Sequence, residues 1–157
     1  MRLGVIGVDS SHFPEFTRRI SEMNQAGETA ARVTHYWTDG RHDWPNKSDV
    51  DDWIQRGEAL GAERAASLDA MLDAVDGVLV LAVNGHRHLE LALPSLERGL
   101  PTYVDKPLTC DGEQARKLLA AARGGNARCY SASSLRFAAE LESIDRDALG
   151  EIVAIDA

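Results

Sequence analysis

The feature that most constrains the fold is an uninterrupted apolar run at residues 77–83, Gly-Val-Leu-Val-Leu-Ala-Val. The run is far shorter than the roughly 20 residues that a membrane-spanning helix needs. It also lacks a polar side chain that could face water. A strand that is apolar on both sides is typical of the centre of a parallel sheet that helices cover on both faces. The run therefore predicts an α/β domain.

The rest of the chain alternates between strand-like and helix-like segments. Strands are predicted over residues 1–8, 32–37, 77–83, 101–104 and 126–131. Helices are predicted through residues 13–23, 50–60, 68–75, 86–98 and 111–123, the fourth of them interrupted by Pro94, and a further helical stretch over 137–144. Strands and helices in this order give a doubly wound parallel sheet of the Rossmann type.

Length and charge narrow the class of protein further. The 157 residues correspond to about one domain. A net charge of −8 opposes general binding to nucleic acid or to an anionic membrane. The N-terminal residues do not have the composition of a signal peptide, so we expect a cytoplasmic protein whose ligand is a small molecule.

Unusual polar residues follow most of the predicted strands, where an open α/β sheet binds its ligands. They are Asp9, Ser10, Ser11 and His12 after the first strand, Asp39 and Arg41 after the second, Asn84, Gly85, His86 and His88 after the central strand, Asp105 and Lys106 after the next, and Ser131, Ser133 and Ser134 after the last. Since these strand ends share one edge of the sheet, the pattern predicts a ligand crevice at that edge.

The first of these turns is a modified dinucleotide-binding loop. Of the glycines in the G-x-G-x-x-G pattern, only Gly7 is present. Asp9 replaces the glycine that lets the backbone approach a pyrophosphate, and its charge would repel one, while His12 replaces the third glycine. The amides and hydroxyls of Ser10 and Ser11 at a helix N-terminus could still hold an anion, but a plain strand-to-helix turn remains an alternative.

Two further strand ends carry candidate ligands of a cofactor or substrate. Asp39 stands where an acid accepts both ribose hydroxyls, although Arg41 beside it would favour a 2′-phosphate, and a solvated turn is the alternative. Lys106 can present an ammonium group to a substrate oxygen, unless it is simply a surface lysine. The Lys106–Pro107 bond is predicted to be cis.

The histidines permit a different interpretation. His86 and His88, with Asp9, His12 and Asp105, could be read as metal ligands. A metal-dependent hydrolase that uses His12, His86 and His88 is therefore an open alternative. Its ligands would have to converge from three loops, and our prediction is that the chain holds no metal site.

Taken in order, these motifs resemble the N-terminal half of the Gfo/Idh/MocA-family oxidoreductases, the group of glucose–fructose oxidoreductase and inositol dehydrogenase. The resemblance rests on residues 3–7 (Leu-Gly-Val-Ile-Gly), 76–83, 96–108 and 150–153. Asp105-Lys106-Pro107 matches the Glu-Lys-Pro motif of the family with one carboxylate exchanged. The turn at Asp9 and the Asn84-Gly85 pair, where the family commonly has Thr-Pro, look like a divergent branch.

The resemblance implies an NAD- or NADP-dependent dehydrogenase that acts on the hydroxyl-bearing carbon of a sugar, polyol or related molecule. It implies catalytic roles for Lys106, which positions cofactor and substrate, and for His88. The cofactor-binding residues would be Gly7, Asp9, Ser10, Ser11, His12, Asp39, Asn84, Gly85, Asp105 and Lys106. A non-catalytic or regulatory module that has lost hydride transfer is the main alternative.

The resemblance also implies two domains. Residues 1–130 would be the dinucleotide-binding domain, and 131–157 a crossover segment and the first strand, at 150–157, of an incomplete α/β domain. That second domain carries much of the substrate site and forms the oligomer interface in many family members. We therefore expect the 157-residue chain alone to be inactive and the full-length protein to be a homo-oligomer.

Overall fold

The computed structural model describes residues 1–42 and 46–151, and it contains the predicted α/β sheet. Its strands are β1 (Arg2–Ile6), β2 (Arg32–Trp37), β3 (Glu63–Arg64), β4 (Gly77–Val80), β5 (Thr102–Val104) and β6 (Cys129–Tyr130). They form one six-stranded sheet in the order β3-β2-β1-β4-β5-β6. Every paired strand is parallel to its neighbour, and the strand order reverses beside β1, as in a Rossmann fold.

Helices connect the strands. They are α1 (His12–Gln25), α2 (Lys47–Ala59), α3 (Leu68–Ala74), α4 (His88–Glu97), α5 (Gly112–Gly124), α6 (Ala139–Glu142) and α7 (Arg146–Leu149), with short 3-10 helices at Gly85–Arg87 and Ser134–Phe137. Side chains that the sequence provides fix three of the helix starts. Asn46, Ser67 and Asp111 accept hydrogen bonds from first-turn amides of α2, α3 and α5.

The core lies on both faces of the central strands, because successive side chains of a strand point to opposite sides. In β1, Val5 packs into the cluster beneath α1 and α2, whereas Ile6 packs into the cluster beneath α3, α4 and α5. In β4, Leu79 likewise packs into the cluster beneath α1 and α2, and Val80 packs into the cluster on the opposite face. The apolar run therefore forms a central, doubly covered strand, as predicted.

The element boundaries differ from the predictions in several places. The first, central and last predicted strands are shorter than expected, and β3 was not predicted because two exposed residues carry no strand pattern. The fourth helix continues through Pro94, since its buried residues Leu91, Ala92 and Leu96 pack on the sheet regardless. The helical stretch predicted over 137–144 begins instead as the 3-10 turn, and α6 follows.

Two further predictions from the sequence concern the strand near the C-terminus and membrane-spanning helices. The strand predicted at 150–157 lies almost wholly outside the described residues, which end at Glu151. Within the described ranges, no helix combines the length and apolar character that crossing a bilayer would require.

Candidate functional site

The carboxyl ends of four neighbouring strands meet at one edge of the sheet, and their loops contact each other there. Ser10 Oγ, after β1, donates a hydrogen bond to the carbonyl oxygen of Leu81 after β4, at 3.0 Å. His12 reaches Asp105 after β5, and Arg87 reaches back to Asp39 after β2. The structure thus brings together the loops that the sequence predicted to share an edge.

Gly7 forms the tight turn that ends β1. Its φ is +86°, and its N–H donates to the carbonyl oxygen of Trp37 at 3.1 Å. A Cβ atom at this position would lie 2.6 Å from the backbone nitrogen of Ala82. Only glycine satisfies both the left-handed conformation and this close approach between two strands.

Asp9 is turned into the protein rather than towards solvent. Its side chain accepts hydrogen bonds from its own N–H and from that of Val83. The residue is only 3% exposed, and Oδ2 has no hydrogen-bond partner among the described residues. Burial raises the pKa of this carboxyl above its usual range, which favours the neutral form. The repulsion of a pyrophosphate, which the sequence predicts for an ionised Asp9, stays a prediction.

The N-terminus of α1 has donors available for an anion. Ser11 precedes the helix, and its side chain makes no capping hydrogen bond. Within the described residues, the backbone N–H groups of Ser10 and Ser11 have no hydrogen-bond acceptor. The amide of His12 is satisfied by Ser10 Oγ at 3.3 Å. Two free amides at the start of a 14-residue helix form an arrangement that suits phosphate.

Asp39 is held by two arginines. Its Oδ2 accepts from Arg41 Nε and from Arg87 Nη2, each at 2.6 Å, and Oδ1 accepts from the Arg41 amide at 3.1 Å. Burial alone would raise the pKa of this carboxyl, but the hydrogen bonds from Arg41 and the charge of Arg87 hold the pKa below its usual value. Sequence reasoning missed Arg87, although its place in the loop after β4 was a signal.

Asp105 and His12 form a close pair at the end of β5. His12 Nδ1 lies 2.6 Å from Asp105 Oδ2, and the Tyr103 hydroxyl donates to Asp105 Oδ1 at 3.3 Å. Burial would raise the pKa of Asp105, but hydrogen bonds from His12 and from the Lys106 amide hold that pKa below its ordinary value. Burial and the neighbouring Asp105 raise the pKa of Tyr103 to about 12. Sequence reasoning missed Tyr103, which carries no motif.

A cleft of about 420 Å³ opens beside this pair. It is lined by Asp9, Ser10, Ser11, His12, Asp49, Trp53, Val83, Asp105 and Lys106. Lys106 is exposed, and its side chain makes no hydrogen bond or ion pair with the described residues. Its ammonium group is thus exposed at the cleft, and its predicted contact with a ligand stays a prediction.

His88 is fully buried. Its Nδ1 lies 2.8 Å from the carbonyl oxygen of Pro107, and its Nε2 lies 2.7 Å from that of Ala82. A neutral imidazole has a single N–H, so both contacts are hydrogen bonds only in the doubly protonated ring. The catalytic contact predicted for His88 does not fit this geometry, because neither ring nitrogen reaches the cleft.

The loop after β4 is packed tightly against the loop after β5. Asn84 Oδ1 accepts from the His86 amide at 3.0 Å, and this bond fixes the start of the 3-10 turn. A Cβ on Gly85 would lie 2.8 Å from both Cys110 Sγ and a ring carbon of Pro107. The Lys106–Pro107 bond is cis, as predicted.

The structure does not bring together the ligands that the metal-site alternative requires among the described residues. Among the residues that the structure describes, no group of three or more histidine, cysteine or acidic side chains is placed to hold an ion. His88 faces two carbonyl oxygens, and His12 faces Asp105. The three histidines that a metal-dependent hydrolase would need therefore do not converge.

Comparison with known proteins gives one family match. The model of an oxidoreductase family, described as an NAD-binding Rossmann fold, matches residues 1–133. An inositol 2-dehydrogenase of Corynebacterium glutamicum is 39% identical over 64 residues, which cover 40% of this chain and 19% of that protein. A second inositol 2-dehydrogenase, from strain R of that species, is 47% identical over 47 residues, 30% of this chain and 14% of that protein.

Solved structures share the fold at low sequence identity. An oxidoreductase from Agrobacterium radiobacter, solved with NAD⁺, L-tartaric acid and magnesium, superposes with a TM-score of 0.69 at 11% identity over 91% of this chain and 38% of its own. Biliverdin reductase from Synechocystis, solved with biliverdin and NADP⁺, superposes with a TM-score of 0.67 at 18% identity. The match covers 95% of this chain and 42% of the reductase. The chain thus spans less than half the length of each of these relatives.

Proposed function

Because the chain belongs to the Gfo/Idh/MocA oxidoreductase family, whose NAD-binding Rossmann domain it matches over residues 1–133, we propose that it is the cofactor-binding part of a dehydrogenase acting on the CH–OH group of a sugar, polyol or related small molecule. The cofactor class of this domain is nicotinamide dinucleotide. The observation that carries the proposal is the pair of free amides at the start of α1, beside the turn at Gly7.

The residues at the sheet edge fit a dinucleotide. The free amides of Ser10 and Ser11 would hold the diphosphate, and the inward Asp9 leaves them accessible. Asp39 would face the adenosine ribose, where Arg41 and Arg87 favour a phosphorylated ribose and so NADP(H). When bound, the dinucleotide supplies the hydride acceptor or donor.

The chain's own residues would then prepare the substrate end of the site. Lys106 would hold the reacting oxygen through its free ammonium group, since it lines the cleft without a partner among the described residues. His88 would act as a positioning residue, because it joins the Ala82 and Pro107 carbonyls beneath that cleft. Asn84 and Gly85 would shape the wall between the two loops.

The partial match to two inositol 2-dehydrogenases supports a polyol as the substrate class. Purified full-length protein should reduce NAD⁺ or NADP⁺ when myo-inositol or a related polyol is added, as followed by nicotinamide absorbance. Lys106→Met should abolish that turnover while dinucleotide binding persists. Turnover unaffected by Lys106→Met would contradict the assignment of Lys106.

A non-catalytic binding module is the second candidate, and Asp9 favours it. A carboxyl with an unpartnered oxygen replaces the glycine that brings backbone closest to a pyrophosphate. If that replacement weakens the cofactor site, Asp9→Gly should tighten dinucleotide binding in calorimetry, and the wild type should show no turnover with any polyol. Equal affinities in the two proteins would count against this candidate.

We propose the domain organisation on the same grounds. Residues 1–130 would form the dinucleotide-binding domain and 131–157 the crossover into a second domain, which the end of the family match at residue 133 supports. The family resemblance further supports a homo-oligomer for the full-length protein. Light scattering of that protein after gel filtration tests this, and a monomer would contradict it.

A further inference from the structure

Arg87 links two loops on either side of the turn at Gly7. The residue follows β4, and its Nη2 donates a hydrogen bond at 2.6 Å to Oδ2 of Asp39, which follows β2. Strand β1 lies between β2 and β4, so the ion pair spans the turn that follows β1. A dinucleotide whose diphosphate lies at the start of α1 and whose ribose lies at Asp39 has to cross the same turn.

The ion pair closes a narrow cavity at this turn. The side chains of Arg87 and Asp39 are only 11% and 22% exposed. The cavity has a volume of about 190 Å³ and is lined by the ion pair together with Gly7, Trp37 and Arg41, among others. Pockets that hold small organic ligands usually measure about 300–1,000 Å³. While Arg87 stays on Asp39, this space is therefore too small for an adenosine group.

Asp39 has little capacity left for a ribose. Its Oδ2 accepts hydrogen bonds from Arg87 Nη2 and Arg41 Nε, and its Oδ1 accepts one from the Arg41 amide. An ionised carboxylate has about four acceptor positions, so about one remains. The adenosine ribose of NAD(H) offers two hydroxyl groups. NAD(H) can therefore use both acceptor positions at Asp39 only after Arg87 leaves.

The guanidinium group of Arg87 is itself incompletely paired. Its Nε is buried and has no hydrogen-bond partner among the described residues. A buried N–H group without an acceptor destabilises the arrangement that contains it. A phosphate group can accept from two N–H groups of one guanidinium in parallel. A phosphate within reach would thus satisfy Arg87 better than one carboxylate oxygen does.

The backbone that carries Arg87 is fixed, so the side chain alone can change partner. The Arg87 amide donates to the carbonyl oxygen of Asn84 at 3.0 Å, within the 3-10 turn. The next residue, His88, is fully buried and lies against two backbone carbonyl oxygens. A rotation about the flexible Arg87 side chain moves the guanidinium group without moving the loop.

We propose that the Arg87–Asp39 ion pair is a latch over the adenosine end of the cofactor groove, and that the 2′-phosphate of NADP(H) opens it by drawing Arg87 away from Asp39. The inference rests on the proposed function and makes Arg87 a specificity-determining residue. NAD(H) lacks this phosphate and has to break the ion pair without replacing it. Asp39 keeps Arg41 as its partner in either case. The latch therefore favours NADP(H).

The first test asks whether the latch exists, and it needs no cofactor. In ¹H–¹⁵N spectra of the 157-residue chain labelled at the arginine side chains, Asp39→Ala should shift the Nε–H signal of Arg87 and speed its hydrogen exchange. Asp69→Ala removes a partner of Arg98 instead and should leave the Arg87 signal in place. An Arg87 signal that Asp39→Ala does not change would overturn the proposal.

The second test measures the dissociation constants of NADPH and NADH by calorimetry. The wild type should bind NADPH more tightly. Arg87→Gln should weaken NADPH binding by about 10–100-fold, the value of a hydrogen bond to a charged group, and should tighten NADH binding because an acceptor position on Asp39 becomes free. In an Asp39→Ala background, Arg87→Gln should give no gain for NADH.

Arg98→Gln is the matched control for charge. Arg98 follows the last residue of α4, at the opposite end of that helix from Arg87, and pairs with Asp69 and Asp73. Its replacement should leave both dissociation constants unchanged. If Arg87→Gln weakened NADPH and NADH equally, or changed neither, the proposal would be overturned. If the wild type bound neither dinucleotide, the proposed function and the role of the latch in cofactor choice would both fail, and the arginine spectra would still decide whether the ion pair forms.

Discussion

Replacing Gly7 by alanine tests the geometry on which the cofactor turn depends. Gly7 has a φ of +86°, which costs a residue with a side chain about 1–2 kcal/mol. Its added Cβ would lie 2.6 Å from the nitrogen and 2.8 Å from the Cα of Ala82. Because both atoms belong to the backbone, the strands must shift, and overpacking of this kind costs about 1–3 kcal/mol more.

The free energy of unfolding should therefore fall by about 2–5 kcal/mol, out of about 5–15 kcal/mol for a typical domain. For a chain of this size the melting temperature should fall by about 5–20 °C. Denaturant unfolding followed by circular dichroism measures the change. Gly27→Ala is the matched control, since Gly27 has a φ of +75° but no atom within 4 Å of its added Cβ.

Gly27→Ala should lower the free energy of unfolding only by the cost of placing a side chain at positive φ, about 1–2 kcal/mol. The difference between the two variants isolates the clash with Ala82 from the left-handed backbone. If Gly7→Ala unfolded at the same denaturant concentration as Gly27→Ala, the close approach of the first turn to the loop after β4 would be refuted.

Three further changes test other parts of the site and core. Asp9→Asn should become increasingly stabilising relative to the wild type as the pH rises above about 4, the ordinary pKa of the carboxyl, because burial raises the pKa of Asp9 in the folded protein and its ionisation then destabilises the fold. Urea titrations of both proteins at acidic and at neutral pH measure this, and an equal difference in stability at the two pH values would contradict it. Tyr36→Phe should lower the free energy of unfolding by about 1 kcal/mol, because it deletes a 2.7 Å hydrogen bond to the exposed Glu58. Thermal unfolding measures this loss, and a clearly larger loss would contradict a role limited to one hydrogen bond. His88→Leu should lower the free energy of unfolding by about 1–3 kcal/mol, because the buried carbonyl that accepts the imidazole N–H is left unpaired. An unchanged midpoint in calorimetric unfolding would exclude this structural role.

The fold could be predicted because its signals are local. The apolar run at 77–83 indicates a doubly covered strand whatever its neighbours are, and alternation of strands and helices then fixes the sheet type. Strand β3 escaped prediction for the converse reason. β3 consists of Glu63 and Arg64, and its pairing with β2, rather than its residue types, makes it a strand.

The candidate site was predictable as a set of loops but not as a set of contacts. Topology alone places the residues after β1, β4 and β5 at one edge. The direction of the Asp9 carboxyl, the bridge from Arg87 to Asp39 and the His12–Asp105 pair depend on side-chain rotamers and loop packing across long sequence separations. No spacing pattern encodes these contacts, and the sequence alone could place His12 only by its position in the first turn.

We expect the start of α1 to hold the diphosphate of a nicotinamide dinucleotide, and the amide signals of Ser10 and Ser11 report on that contact without an assay of turnover. In ¹H–¹⁵N spectra of the 157-residue chain titrated with NADH and NADPH, both signals should shift and saturate with at least one of the two. The amide of Glu63, at the far edge of the sheet, serves as the internal control and should not move. Titrations in which neither dinucleotide shifts Ser10 or Ser11 would contradict the account.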